Sequence, residues 1–517
     1  MSDTVRTGLI LKIAVFATGL AGVVAEFVLS TLATYLLGDA VFQWAVVMSL
    51  MLFAMGVGSR LSRLVRKDLL DAFILTEFVL SILCAAASCL AYGLAARISE
   101  VGILIYSQAL LIGCLIGLEI PLVTRLNRSY EELRINIASV MEKDYFGALF
   151  GGLLFAFVAL PHLGLTYTPV ALGAVNFSVA GLLLFSFLGL VKRKRLIVSA
   201  FSVSLVCLAG LAWFAEPIVT YGEQVQYRDK VVYATQTPYQ KIVITRWRQN
   251  HWLFLNGQEQ FSTVDEHLYH EPLVHPTMEL TDKPERILII GGGDGLALRE
   301  IWKHKGVKSV VMVDLDPVMT KLARDHAIFR SINKDSMHDP RLTVINQDAG
   351  SFIKDDTGLY DVIIVDLPDP DSVDLSHLYS LGFYRRLKAH LSLGGTMITQ
   401  AGSPFFAKKA YLCIYKTMQA AGLSLLPMHN NIPTMGEWGW FMAKHQNEAS
   451  AGELRQRALQ LEFKEIKTKF LNHEAMSVLV NFGKGIFDSK LLTQVEVNTV
   501  FKPVLPRYYA QGQWDVY

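Results

Sequence analysis

The sequence predicts a two-part chain. An α-helical bundle crosses a membrane about seven times, and an α/β half on an open sheet follows, with a small antiparallel sheet in front of it. Three observations predict this. Hydrophobic residues fill 52% of the 517 positions and charged residues 18%, whereas a soluble chain carries about a quarter charged. The charge is uneven, with 15 Lys and Arg and 12 Asp and Glu in residues 1–215 against 33 and 34 in residues 216–517. The second part also holds short β-rich runs that close on glycine or aspartate. A net charge of +2 argues against a nucleic-acid partner, which selects a concentrated basic surface.

Seven stretches reach the roughly 20 apolar residues that a span needs: 13–36, 41–58, 71–95, 101–123, 145–165, 169–191 and 196–215. Lys and Arg gather in alternate loops: Arg60, Arg63, Arg66 and Lys67; Arg125, Arg128, Arg134 and Lys143; and Lys192 to Arg195. The intervening loops hold only Arg97. By the positive-inside rule the N-terminus and those three loops face the cytoplasm. Seven crossings then put residues 216–517 on the other side.

Within the spans, Gly147 and Gly151 form a small-xxx-small pair suited to close helix packing. Glu26, Glu119 and Asp144 are ionisable groups at membrane depth, which are costly and often functional. The plainer reading pairs Asp144 and Glu119 with an arginine near a helix end. The five cysteines fit neither a disulfide framework nor metal-ligand spacing.

In residues 216–270, Val231–Tyr233, Lys241–Thr245 and His251–Leu255 are β-rich, and Asn256-Gly257 is a hairpin-turn dipeptide. Residues 271–445 open on a strand, Arg286–Ile290, then Gly291-Gly292-Gly293-Asp294-Gly295, then a helix from Leu296. A second strand, Ser309–Val313, ends in Asp314. An acidic residue about 20 positions after such glycines commonly holds ribose hydroxyls. The dinucleotide fingerprint spacing is absent, so an adenosine sulfonium fits better than a dinucleotide. Strands Leu342–Ile345 and Asp361–Val365 lead into Asp348-Ala349 and Asp366-Leu367-Pro368-Asp369-Pro370. Asp294, Asp314, Asp348, Asp366 and Asp369 thus fall at carboxyl ends of strands, where open α/β sheets bind ligands. One could be a helix cap; five in succession suit a cationic ligand. Residues 446–517 form a C-terminal extension.

From Tyr239-Gln240 to about Ala443 these motifs, in this order, resemble the spermidine synthase family. They include Leu255-Asn256-Gly257, Gln260, Asp265-Glu266, Tyr269-His270-Glu271, the GGGDG turn, Asp348-Ala349 and D-x-x-D-P. The helical half is similar to membrane-bound members of that family at Gly117–Pro121 and Asp144–Gly147. The resemblance implies a Rossmann-like, methyltransferase-type fold and an aminopropyltransferase at the cell membrane. By resemblance, Gln240, Gly291, Gly293, Asp314, Asp348 and Ala349 meet decarboxylated S-adenosylmethionine, a co-substrate rather than a resident cofactor. Tyr239, His270, Asp294, Asp366 and Asp369 face the amine, putrescine first, with Asp366 as base. No metal is expected, since a sulfonium is already activated. The resemblance also implies a homodimer.

Two departures bear on the acceptor. Soluble members follow D-x-x-D-P with Gly-Pro, where this chain has Asp371-Ser372-Val373. They carry Ile-Pro-Thr-Tyr-Pro where this chain has Ile432-Pro433-Thr434-Met435-Gly436. The competing readings are an S-adenosylmethionine-dependent methyltransferase on the same fold and a non-catalytic membrane polyamine sensor or transporter.

Overall fold

The computed structural model describes residues 3–38, 40–95, 101–127 and 133–513. Arg97 and Arg128 of the loop cations lie outside the described residues. The chain forms two compact units, Met1–Val231 and Val232–Tyr517.

The described residues of the first unit form seven long helices: α1 (Asp3–Leu37), α2 (Ala40–Leu61), α3 (Leu69–Ala95), α4 (Val101–Asn127), α5 (Leu133–Leu154), α6 (Leu160–Ser186) and α7 (Lys194–Gln226). Among the described residues six runs are long and apolar enough to cross a membrane, and the fifth, Arg134–Ser186, is 53 residues long. As one straight helix it would measure about 80 Å, far beyond a bilayer core of about 30 Å. It is not straight. Gly164 leaves the helical region at φ 61°, ψ −169°, and the Thr168 hydroxyl donates to Ala159 O at 3.1 Å. Nine residues of helix would separate those groups by about 13 Å, so the chain folds back here. The run therefore holds two of the seven stretches expected from the sequence.

Gly147 and Gly151 do bring helices together. A Cβ on either would run into the backbone of α1, at Phe16 O and Leu20 O. Among the described residues no arginine pairs with Glu119. Arg125 donates instead to Val65 O and Ser62 O, both at 2.8 Å. Glu119 of α4 lies against Glu77 of α3, and both are buried. The last helix also runs on through Glu216-Pro217 to Gln226, so the shift in charge density falls inside a helix and not at its end.

The second unit carries two sheets. The smaller is antiparallel, in the order β1 (Lys230–Gln236), β2 (Lys241–Trp247), β3 (Asn250–Leu255), β4 (Gln258–Ser262). Asn256 and Gly257 both have positive φ, 50° and 83°, as the tight β3–β4 turn requires. Ile242, Ile244, Leu253 and Phe261 of this sheet pack on Leu296, Met319 and Leu322.

The larger sheet has seven strands: β5 (Arg286–Gly291), β6 (Ser309–Asp314), β7 (Leu342–Asn346), β8 (Tyr360–Asp366), β9 (Leu391–Gln400), β10 (Leu423–Ile432) and β11 (Gly436–His445). Their order is β10-β11-β9-β8-β5-β6-β7. Strands β5 to β9 pair in parallel, and β10 and β11 add an antiparallel edge. Ile287–Ile290 and Val362–Val365 are fully buried, as their unbroken apolar runs demand in a sheet covered on both faces. The chain leaves β5 toward β6 and β7, then returns to β8 on the other side. The carboxyl ends of β5 and β8 therefore mark the topological switch point, where such sheets bind ligands.

Candidate active site

Gly291 and Asp366 are register partners at that switch point. Gly291 has φ +81°, and a Cβ there would strike Asp366 O, so only glycine fits. Gly292 N–H donates to Asp366 O at 3.0 Å. Gly293 N–H donates to Asp314 Oδ2 at 3.1 Å, and Asp316 N–H to Asp314 Oδ1 at 2.9 Å. The glycine turn thus ties the ends of β5, β6 and β8 together. Asp294 Oδ1 accepts from Leu296 N–H at 2.8 Å at the start of helix α9 (Leu296–Ile301).

Around Asp366 the structure assembles groups from distant parts of the chain. Helix α8 (His267–Glu279) places Tyr269 so that its hydroxyl donates to Asp366 Oδ1 at 2.7 Å. The next residue, His270, is buried and sits 3.1 Å from Glu266 Oε2, and Arg299 holds that same oxygen at 2.7 Å. Burial works against a charged His270, but Glu266, with Asp294 and Asp366 nearby, lifts it to about 9. Burial likewise opposes the Glu266 carboxylate, yet His270 and Arg299 bring it down to about 2. Asp366 is half-buried, and desolvation raises it to about 6; His270 counters this and Asp294 adds to it. Asp294 is raised, chiefly by desolvation, with His270 opposing.

The loop after β8 is held from several sides. Tyr379 Oη donates to Pro368 O at 2.9 Å, and Gln400 Nε2 donates to Leu367 O at 2.8 Å. Tyr509 Oη donates to Asp369 Oδ2 at 2.5 Å, and Gln258 Nε2 to Asp371 Oδ2 at 2.8 Å. Asp369 is buried, and desolvation raises it to about 7. His270 and Asp294 thus lie close enough to Asp366 to act on its charge, and Tyr269 lies near both Asp366 and Asp369. A half-desolvated set of carboxylates beside one histidinium suits a ligand with more than one ammonium.

The remaining expected residues line up differently. Gln240 Nε2 donates to Asp316 Oδ2 at 3.0 Å, a carboxylate that also caps helix α10 (Pro317–Asp325). Asp314, raised to about 6 mainly by desolvation, accepts the two backbone bonds above. Asp348 caps the helix Ala349–Asp355 through Ser351 N–H at 2.8 Å. Three of the strand-end aspartates, Asp294, Asp314 and Asp348, thus also serve the backbone. Tyr239 is half exposed in the β1–β2 connection, where its N–H donates to Thr237 Oγ1 at 3.1 Å.

Sequence reasoning passed over Tyr269, Glu266, Gln400 and Tyr509 as site residues. The Glu266–His270 pair had a signal, being four residues apart at a helix start. Tyr509 had none, lying 140 residues from Asp369 in the chain.

Residues 266–454 match the spermine/spermidine synthase domain. Polyamine aminopropyltransferase 2 of Aquifex aeolicus is 43% identical, over 97% of this chain and 99% of its own length. Polyamine aminopropyltransferase of Leptospira interrogans is 36% identical, over 98% of each. A solved spermidine synthase in complex with the transition state analogue AdoDATO superposes with a TM-score of 0.46 at 24% identity, covering 51% of this chain and 88% of the other. Relatedness along nearly the whole length, together with the motif order, settles the family: this chain belongs to the spermine/spermidine synthases and is a polyamine aminopropyltransferase.

Proposed function

We propose that the enzyme transfers the aminopropyl group of decarboxylated S-adenosylmethionine to putrescine, giving spermidine and methylthioadenosine. The observation that carries this is the meeting of Asp366, Tyr269, His270 and Asp294 at the switch point. An alkylamine is protonated near pH 7, with a pKa near 10.4, and only its neutral form attacks. Asp366 accepts the proton as the amine nitrogen bonds the carbon beside sulfur. The carbon–sulfur bond breaks, and its electron pair neutralises the sulfonium as the thioether leaves. Positioning supplies much of the acceleration. Asp369 takes the far ammonium. Gly291, Gly293, Asp314, Gln240, Asp348 and Ala349 form the donor side, and Tyr239 is assigned to the pocket rim.

The reading extends to a multi-pass protein of the cell membrane. Outward apolar side chains support it, among them Phe157 (72% exposed) and Trp213 (80%), which water would penalise and lipid would not. The family resemblance adds a homodimer.

Mass spectrometry of detergent-purified full chain tests the reaction. The donors are decarboxylated S-adenosylmethionine and S-adenosylmethionine in parallel, with putrescine, cadaverine and spermidine as acceptors. Spermidine and methylthioadenosine are expected from the first donor. A methylated amine from the second would replace the proposal with a methyltransferase, and binding without any product would replace it with a sensor.

A further inference from the structure

The C-terminal extension reaches the loop that holds Asp369. Asn498 anchors it: Nδ2 donates to Ser376 O at 2.8 Å and Tyr379 O at 3.1 Å, while Oδ1 accepts from Val504 N–H at 3.1 Å. Leu505 is fully buried, and Gln513 N–H donates to Phe406 O at 2.8 Å. These ties fix the short helix Leu505–Ala510 and bring the Tyr509 hydroxyl to Asp369 Oδ2 at 2.5 Å. The other oxygen of Asp369, Oδ1, is buried and accepts no hydrogen bond among the described residues. Gln400 lies beside it but directs Nε2 to Leu367 O and Tyr379 Oη. A buried carboxylate with one oxygen unsatisfied is costly until a donor or cation completes it.

We propose that Tyr509 is a specificity-determining residue for the acceptor: its hydroxyl engages Oδ2 of Asp369, so that Oδ1 is presented to the distal ammonium of a diamine. The inference rests on the acceptor site proposed above. The groups around Asp369 are Tyr509 from the extension, Tyr379 and Gln400 behind the loop, Asp371 on the loop itself, and Tyr269 and Asp366 toward the reacting end. Burial and then Asp371 push Asp369 up, and the Tyr509 bond, with a smaller contribution from the neighbouring Gln400 amide, opposes them. Without that bond Asp369 is more fully protonated at neutral pH, and a neutral carboxyl holds an ammonium weakly. A monoamine, having no distal ammonium, is indifferent to the change.

The test compares kcat/KM for putrescine with kcat/KM for butylamine, using the full chain in detergent. In Tyr509→Phe the diamine-to-monoamine ratio should fall about tenfold at pH 7, the size of one lost charge-assisted hydrogen bond, and the gap should narrow toward pH 9. Tyr509→Gln, which keeps an N–H donor, should retain most of the ratio. An unchanged ratio in Tyr509→Phe, or an equal fall for both amines, overturns the inference. Asp369→Asn separates it from the reading beneath it. If that variant leaves the ratio unchanged, the acceptor site itself is misplaced; if it lowers the ratio while Tyr509→Phe does not, Tyr509 alone is excluded. Should Tyr509→Phe not fold, the wild-type ratio must still decline as pH drops below about 7, and a pH-independent ratio overturns the inference.

Discussion

The Tyr269 hydroxyl donates to Asp366 Oδ1 at 2.7 Å, which leaves Asp366 Oδ2 toward the glycine turn, where a Cβ on Gly292 would lie 3.3 Å from it. One oxygen is held by the Tyr269 hydroxyl, and on the reading proposed above the other is the proton acceptor that a base needs. Asp366→Asn keeps the size and loses the proton acceptor. Turnover should fall by about 10²–10⁴-fold with nucleoside binding retained. Single-turnover rates near wild type would remove Asp366 from the mechanism.

Tyr269→Phe removes a donor that favours the ionised form of Asp366, whose carboxyl already stands at about 6. As the proposed base, Asp366 must be deprotonated to act, so activity should be lost as pH falls through its pKa. Losing the phenol moves that pKa up, and the acid limb of kcat/KM should shift to higher pH. A limb that stays in place, or moves down, would show that the hydrogen bond does not tune the base.

Gly293→Ala drives a methyl group into the Asp314 carboxylate and disturbs the bond from Gly293 N–H. Overpacking of this kind costs about 1–3 kcal/mol. Donor affinity should weaken about tenfold or more, read by calorimetry with methylthioadenosine. Unchanged affinity would place the nucleoside elsewhere.

His270 stands at about 9 in the folded chain, above its ordinary 6.5. A raised pKa means that its contribution to stability is complete below about pH 6.5 and disappears as pH climbs through about 9. Melting temperature in detergent should therefore decline between pH 7 and about pH 9.5, and His270→Gln should flatten that decline. Parallel curves for the two proteins would refute the charged pair with Glu266.

The fold-back at Gly164 divides the 53-residue apolar run in two, and on the membrane reading proposed above each part crosses once. Seven crossings from a cytoplasmic N-terminus place a reporter fused after Tyr517 outside the cytoplasm. The family's donor is made inside cells, so the outcome also decides whether donor must be exported. Paired reporters, one active only inside and one only outside, read it directly. A signal from the inside reporter alone would mean that one of the seven stretches does not cross.

The sequence by itself determined what depends on local pattern. Apolar runs of span length, strands Ile287–Ile290 and Val362–Val365, the Asn256-Gly257 turn and the glycines after β5 were all legible, because solvent exclusion and backbone sterics act on neighbouring residues. The aspartates at strand ends were legible as a set, since each closes its own strand. Only the tertiary structure decided which of them also serve the backbone, as Asp314 and Asp348 do. It alone set Gln240 on Asp316, Glu77 against Glu119, and Tyr509 on Asp369. It also placed β10 and β11 at the sheet edge, in a segment read only through its resemblance to a family. The physical reason is the same in each case. Such contacts join residues tens to more than a hundred positions apart, and no periodicity along the chain encodes a partner that only packing brings near.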